Sequence, residues 1–278
     1  MQVSKNIFRN YDIRGIYPTE INEELSYHVG KALGSLLVKK NKTKVVVGRD
    51  DRESSYPLAR SMIKGFVETG CDVVDVGVTI TPVIHFLTRT EDFDLGVEVT
   101  ASHNPKEYNG FRIDYKNAKS FYGDLVLMLR FMIEREGYSY GNGSLREEEL
   151  SAKYIDYLVA RFKLNRRIKA VIDCGSGATS VIAPKIFEQI NCESVPIQCN
   201  YDSNFPHGIP DPENRLFMEE LKGQVLINKA DVGFAFDTGI GKGLGVSVAG
   251  DRRQGSPVGS SQVILILDLV LRAGLALE

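Results

Sequence analysis

Residues 100–105 (TASHNP) set a hydroxyl (Ser102), an imidazole (His103) and an amide (Asn104) side by side in a short turn. Adjacent residues on a turn can face one cleft. Ser102 therefore has the chemistry of a nucleophile or phosphate carrier, with His103 to assist it. A polar turn whose Ser and Asn side chains bond their own backbone is the competing reading. Upstream, residues 11–15 (YDIRG) bring Arg14 close to Asp12, ahead of a glycine. Arginine clamps phosphate through paired N–H donors. From this segment alone a surface salt bridge is the better reading. Residues 48–55 (GRDDRESS) mix Arg49 and Arg52 with carboxylates, either as solvated charge, as an ion pair or as the wall of a site. Residues 175–180 (GSGATS) lack the Walker lysine and the full dinucleotide spacing, so a tight turn is the better reading than a phosphate cradle. Residues 235–246 (AFDTGIGKGLGV) form a Gly-rich loop with Asp237 and Lys242. Mg²⁺ wants several oxygen ligands, and this loop supplies one carboxylate side chain.

These loops sit at the ends of apolar, β-branched runs. Strands are expected at 44–48, 72–77, 94–100 and 111–115, with helices at 55–69, 81–88 and 123–135. Alternation of this kind gives a mainly parallel sheet with helices on both faces, and such sheets place their sites at the carboxyl ends of strands. A Gly/Ser/Tyr-rich stretch, 137–144, marks a boundary before a charged helix at 145–162. A second unit of the same pattern follows: strands at 169–174, 193–198, 231–237 and 244–249, and helices at 181–190 and 217–229. An apolar helix at 259–277 opens a further segment that needs a surface to cover. The fold class is α/β, with two similar domains at 1–144 and 145–250 and the start of a third at 251–278.

Composition agrees. The 278 residues are 43% hydrophobic and 25% charged, which excludes collagen, low-complexity disorder and a disulfide scaffold. At roughly 100–200 residues per domain, two domains fit. A net charge of −2 gives no global attraction to nucleic acid or acidic membranes. The four cysteines form no CxxC pair and lie in or beside apolar runs, so reduced, mostly buried thiols are expected. The N-terminus has no signal-peptide core, and the apolar run at 263–271 is too short to span a bilayer. A cytoplasmic protein is the expectation.

Taken together, YDIRG, GRDxRxSS, TASHNP followed by YNGFRI, DCGSG, FPHGIPDP and ADVGFAFD occur in the order seen in the α-D-phosphohexomutases. The chain resembles that family over nearly all of residues 7–237, and the bifunctional bacterial phosphomannomutase/phosphoglucomutase type most of all. The resemblance implies reversible transfer between the 1- and 6-phosphates of a hexose through a phosphoserine and a bisphosphosugar. It implies Ser102 as the phosphoserine and one Mg²⁺ ligand, with Asp237 as another. His103, Arg14 and Tyr11 would surround the transferring phosphate, and Asn104 and Lys106 would help to bind it. Hexose phosphates would be the partners, and glucose 1,6-bisphosphate the activator.

The sequence also departs from the family pattern. Where the family carries a lysine acid/base (NGFK), this chain has Arg112, a permanent cation better suited to holding phosphate than to moving a proton. Where the family metal loop reads DGDGDR, this chain reads DTGIGK, so Mg²⁺ binding is expected to be weakened. Family members have four domains, and this chain ends as the third begins. A shortened product is expected, through a reading-frame change near Thr238 or a deliberate cut, with mutase turnover weak or absent. The alternative is a non-catalytic protein that binds a sugar phosphate or a partner through the same cleft. A monomer or weak self-association is expected, since an uncovered apolar helix invites it.

Overall fold

In the computed structural model, which describes residues 1–162, 164, 167–237 and 243–247, runs of Val, Ile and Leu build two separate sheets. They belong to two units that divide between Leu150 and Ser151.

The first unit runs β1 (Ile13–Ile16), α1 (Glu23–Val38), β2 (Lys44–Arg49), α2 (Ser55–Val67), β3 (Asp72–Val78), α3 (Thr81–Thr90), β4 (Leu95–Val99), β5 (Tyr108–Tyr115), β6 (Lys119–Ser120), α4 (Asp124–Arg135) and β7 (Leu145–Glu147). Its sheet has the order β1-β5-β4-β2-β3-β7, with β6 paired to β5. β2 lies parallel to β3 and β4, and β3 parallel to β7. β5 runs antiparallel to both β4 and β1. Side chains alternate across a strand, and the central strands β2 and β4 are buried on both faces. Val45, Val47, Leu95, Val97, Phe111 and Ile113 join one cluster with residues of α1, α2 and α4. The opposite face meets α3, which comes so close that a Cβ on Gly96 would lie 2.6 Å from Ile84 and Thr88 carbons. Helices α1 and α2 also cross tightly. A Cβ on Gly30 would lie 2.2 Å from the Met62 carbonyl oxygen, so the crossing requires the glycine.

The second unit runs α5 (Ser151–Val159), β8 (Ile168–Asp173), α6 (Ala183–Gln189), β9 (Cys192–Ile197), α7 (Arg215–Ile227), β10 (Val232–Phe236) and β11 (Gly243–Ser247). The sheet order is β11-β10-β8-β9. β8 is parallel to β9 and β10, and β11 is antiparallel to β10. α7 covers one face through Phe217, Leu221 and Val225, packed with Val171 and Ala235. On the other face Phe187 of α6 lies 5.1 Å from Phe234, centroid to centroid. The expected architecture of parallel strands between helices is present in both units, each with an antiparallel edge.

Three local expectations differ. Residues 145–162 are not one charged helix. Leu145–Glu147 pairs in parallel with β3, and the helix starts only at Ser151. The units accordingly part after Leu150 instead of after residue 144. β1 and α1 were not expected at all, although α1 carries a standard start: the Asn22 side chain accepts from the Leu25 N–H at 2.9 Å, and Glu23 and Glu24 fill the first turn. The helix expected at 259–277 and the third segment at 251–278 lie outside the described residues. No helix among the described residues is long and apolar enough to cross a membrane.

At the end of β8, Asp173 is fully buried and accepts the Gly175 N–H at 2.9 Å, which closes the turn. Burial pushes its pKa from 3.8 up to about 6, against the pull of the Gly175 N–H; Glu220 adds to the rise and His207 reduces it. Between those values the folded chain holds a proton that the unfolded chain has released. The stabilisation is therefore complete below 3.8 and is lost as pH rises through about 6. Asp173→Asn keeps the turn acceptor without the charge. It should be more stable than the parent at neutral pH by up to roughly 3 kcal/mol. The difference should vanish in acid, as read from urea midpoints across pH.

Candidate functional site

The ends of β2 and β4 are tied together, since the Asp50 N–H donates to the Val99 carbonyl at 3.0 Å. From this junction Asp50 and Arg52 enter the protein interior, with side chains 0% and 1% exposed. Arg52 uses all five of its N–H donors. Nε reaches Asp50 Oδ2 at 3.1 Å. Nη1 reaches the carbonyls of Pro105 (2.8 Å) and Tyr108 (3.2 Å), and Nη2 those of Ser102 and Asn104 (both 2.7 Å). A planar guanidinium fork can meet that many fixed acceptors; an ammonium cannot. Asp50 also accepts from the Arg52 N–H at 3.1 Å and from the Ser55 hydroxyl. Buried Asn109 donates to Ser54 Oγ (2.7 Å) and Ser55 Oγ (2.9 Å), so the YNGFRI strand and the GRDDRESS turn lock each other.

What this scaffold holds is the loop after β4. Ser102 sits in the left-handed region at φ 52°, and its N–H donates to Thr100 Oγ1 at 2.9 Å. Such a conformation is uncommon outside glycine, Asn and Asp, and it persists where surrounding bonds over-determine it. The Ser102 hydroxyl lies 3.2 Å from His103 Nδ1. Arg14, in the edge strand β1, donates from Nη1 to Asn104 Oδ1 at 3.0 Å and pairs through Nη2 with Asp12 at 2.9 Å. β1 can bring it there because Gly110 lies opposite; a Cβ at Gly110 would stand 2.1 Å from the Ile13 carbonyl oxygen. Burial lowers the Arg14 pKa. Asp12 opposes that shift, while the charges of Arg9, Arg52 and Arg112 deepen it. Several cations thus act on one another around this loop, which is an environment that favours an anion.

Behind the loop, on the α3 face, lies a second polar group. Arg112 of β5 stands opposite Glu98 of β4. Its Nη2 donates to Ser120 Oγ at 3.1 Å, and its Nε lies 3.7 Å from Asp114 Oδ2. His85 Nε2 is 2.8 Å from the same carboxylate oxygen. Burial works against the Asp114 carboxylate, but His85, Arg112 and Ser120 outweigh it and hold its pKa below the ordinary value. Glu98 is fully enclosed, and burial lifts its pKa well above the ordinary value despite a hydrogen bond from Thr81. Burial thus favours the neutral form of Glu98, and the Arg112 guanidinium lies beside Asp114.

The sequence-derived candidates sort as follows. Ser102, His103, Asn104 and Arg14 converge on one loop. Arg112 is one strand removed and tied to Asp114. Tyr11 is 61% exposed and stacks on Tyr122 at 6.1 Å. Lys106 is exposed on the loop. Asp237 belongs to the second unit, at the end of β10; it is fully buried, and its carbonyl accepts from the Thr179 hydroxyl at 2.8 Å. Sequence reasoning left Arg52 between solvated charge, ion pair and site wall. It is a buried clamp, and the paired Asp-x-Arg after a strand was its signal. Among the described residues no three His, Cys, Asp or Glu side chains are grouped to hold a metal. Residues 238–242, including Lys242, lie outside the described residues, and their sequence adds no carboxylate to Asp237.

Comparison with known proteins accords with this geometry. The family model for phosphoglucomutase/phosphomannomutase alpha/beta/alpha domain I matches residues 5–128, and that for domain II matches residues 152–241. A phosphomannomutase/phosphoglucomutase of Pseudomonas putida is 36% identical over 241 residues, which are 87% of this chain and 52% of that protein. A phosphoglucomutase of Neisseria meningitidis serogroup A is 31% identical over 237 residues, 84% of this chain and 51% of that protein. The crystal structure of a phosphoglucomutase/phosphomannomutase family protein from Burkholderia thailandensis matches with a TM-score of 0.87 at 30% identity, covering 98% of this chain and 60% of that one. The chain spans about half the length of the curated relatives it matches. With two consecutive domain models matched and a clamped serine loop inside the first, the chain belongs to the phosphoglucomutase/phosphomannomutase family.

Proposed function

We propose that Ser102 is a phosphoryl carrier which exchanges phosphate with hexose phosphates. The observation that carries this reading is the Arg52 clamp, which holds the Ser102 loop in a left-handed conformation with the hydroxyl against His103. In the forward half-reaction Ser102 Oγ attacks the phosphorus of a hexose 1,6-bisphosphate. The Oγ–P bond forms as the P–O bond to the sugar breaks. His103 Nδ1 accepts the hydroxyl proton when its own proton is on Nε2, and the hexose monophosphate oxygen takes up a proton as it leaves. Arg14 and the Asn104 amide hold the phosphate oxygens, with Tyr11 and Lys106 at the exposed margin. Arg112 remains a cation and binds phosphate without shuttling a proton.

The second half-reaction, in which the sugar turns over and reclaims the phosphate, has less support. It asks for a proton relay where this chain has Arg112, and for a metal where it has Asp237 without the two further carboxylates. The 278 residues alone are therefore proposed to phosphorylate on Ser102 but to turn over mannose or glucose phosphate weakly or not at all. A non-catalytic sugar-phosphate binder is the second reading, favoured by that single carboxylate. It predicts binding without covalent transfer.

Covalent transfer to Ser102 separates these readings. Incubation with glucose 1,6-bisphosphate should add one phosphate by intact mass, and Ser102→Ala should abolish the gain. Retention of the added mass in Ser102→Ala would remove Ser102 from the reaction. Arg52→Lys keeps a cation beside Asp50 but loses the fork, so phosphorylation should slow by about 10-fold or more while the chain stays folded. Arg52→Ala leaves Asp50 buried and unpaired and should cost roughly 3–5 kcal/mol of stability. Titration calorimetry should find Mg²⁺ bound no tighter than about 1 mM.

A further inference from the structure

Cys174 and Cys199 are 25 residues apart in sequence but follow the ends of adjacent parallel strands, β8 and β9. Their sulfurs lie 3.0 Å apart, closer than ordinary van der Waals contact between sulfurs. Neither thiol is bonded into a disulfide; Cys174 is buried and Cys199 is partly exposed. The backbone around the pair is well tied. The Cys174 N–H donates to the Ile197 carbonyl at 3.4 Å and the Ser176 N–H to the Gln198 carbonyl at 2.7 Å. A disulfide needs the sulfurs only about 1 Å closer, within reach of side-chain rotation. Cys71 and Cys192 have no such neighbour: the Cys71 sulfur faces Thr69 and the Gly34 carbonyl, and that of Cys192 the Ile168 carbonyl.

We infer that Cys174 and Cys199 form a peroxide-sensitive dithiol, closed by oxidation to a reversible disulfide that fastens the loop after β8 to the end of β9. The chemistry divides by exposure. The Cys199 thiolate attacks one oxygen of hydrogen peroxide, the O–O bond breaks, and the hydroxide released takes the thiol proton to leave as water. Cys199 is then a sulfenic acid. Cys174 sulfur attacks the Cys199 sulfur, the S–S bond forms, and the sulfenic hydroxyl leaves with the Cys174 proton as a second water. Both thiols are oxidised by one peroxide. The electrostatics suit this division: the hydrogen-bonding contact with Cys174 lowers the Cys199 pKa, while burial raises that of Cys174. The tie falls beside a functional strand end. Thr179, in the turn that follows Cys174, holds the Asp237 carbonyl.

The test is performed on the full chain, freed of reductant and given one equivalent of hydrogen peroxide. Intact mass should fall by two hydrogens, and a dithiol reductant should restore it. Non-reducing digestion should yield one linked pair of peptides, joining Cys174 to Cys199. Cys199→Ser should abolish the loss. Cys174→Ser should instead leave a sulfenic acid on Cys199 that dimedone captures. Because the mapping of the unaltered protein needs no variant, it decides even if a variant fails to fold. A different linked pair, addition of oxygen without loss of two hydrogens, or no reaction at Cys199 would each overturn the proposal.

Discussion

The first unit depends on a buried charge. Taking a guanidinium and a carboxylate out of water is expensive, and their attraction compensates only when the remaining donors and acceptors are met. Arg52 satisfies that condition by spending four of its donors on carbonyls of one loop, at Ser102, Asn104, Pro105 and Tyr108. The interaction is therefore reciprocal. The loop keeps the cation satisfied, and the cation keeps the loop in a shape its own sequence would not hold. Ser102 at φ 52° is one consequence, and the closeness of its hydroxyl to His103 is another. Asn109 and Gly110 extend the same logic, one bridging to the GRDDRESS turn and the other letting β1 approach with Arg14.

Much of this was legible in the amino-acid order. Runs such as KVVVG and DVVDVG are buried on both faces, so their strand character is continuous and easily read. The helix at Ser55–Val67 shows its period plainly. The serine loop could be singled out because hydroxyl, imidazole and amide crowd a strand end. What sequence order conceals is pairing. Leu145–Glu147 is exposed and charged, with no apolar pattern of its own, and becomes a strand only because β3 offers an open edge. Similarly, nothing in the residues of β5 announces that it runs antiparallel to β4. The role of Arg52 was hidden for a related reason, because its partners are backbone carbonyls, which carry no sequence signature.

The two units meet the cost of buried polar groups differently. In the first, carboxylates meet side-chain partners: Asp50 has Arg52, and Asp114 has His85 and Arg112, while burial favours the neutral form of Glu98. In the second, Asp173 takes a raised pKa, held by one backbone N–H. The contrast tracks composition. GRDDRESS brings its own cations to the strand end, whereas DCGSG brings none.

This difference bears on which functions can be lost separately. The bonds from Arg52, Thr100 and Arg14 that shape the Ser102 loop come from the first unit. Arg112, for which a phosphate-binding and not a proton-relaying role is proposed, is anchored by Ser120 and Asp114. On the proposed function, receiving a phosphoryl group and returning it to a sugar are separable: the first would need the pre-shaped serine loop and its cations, and the second would need, in addition, groups that this sequence has exchanged.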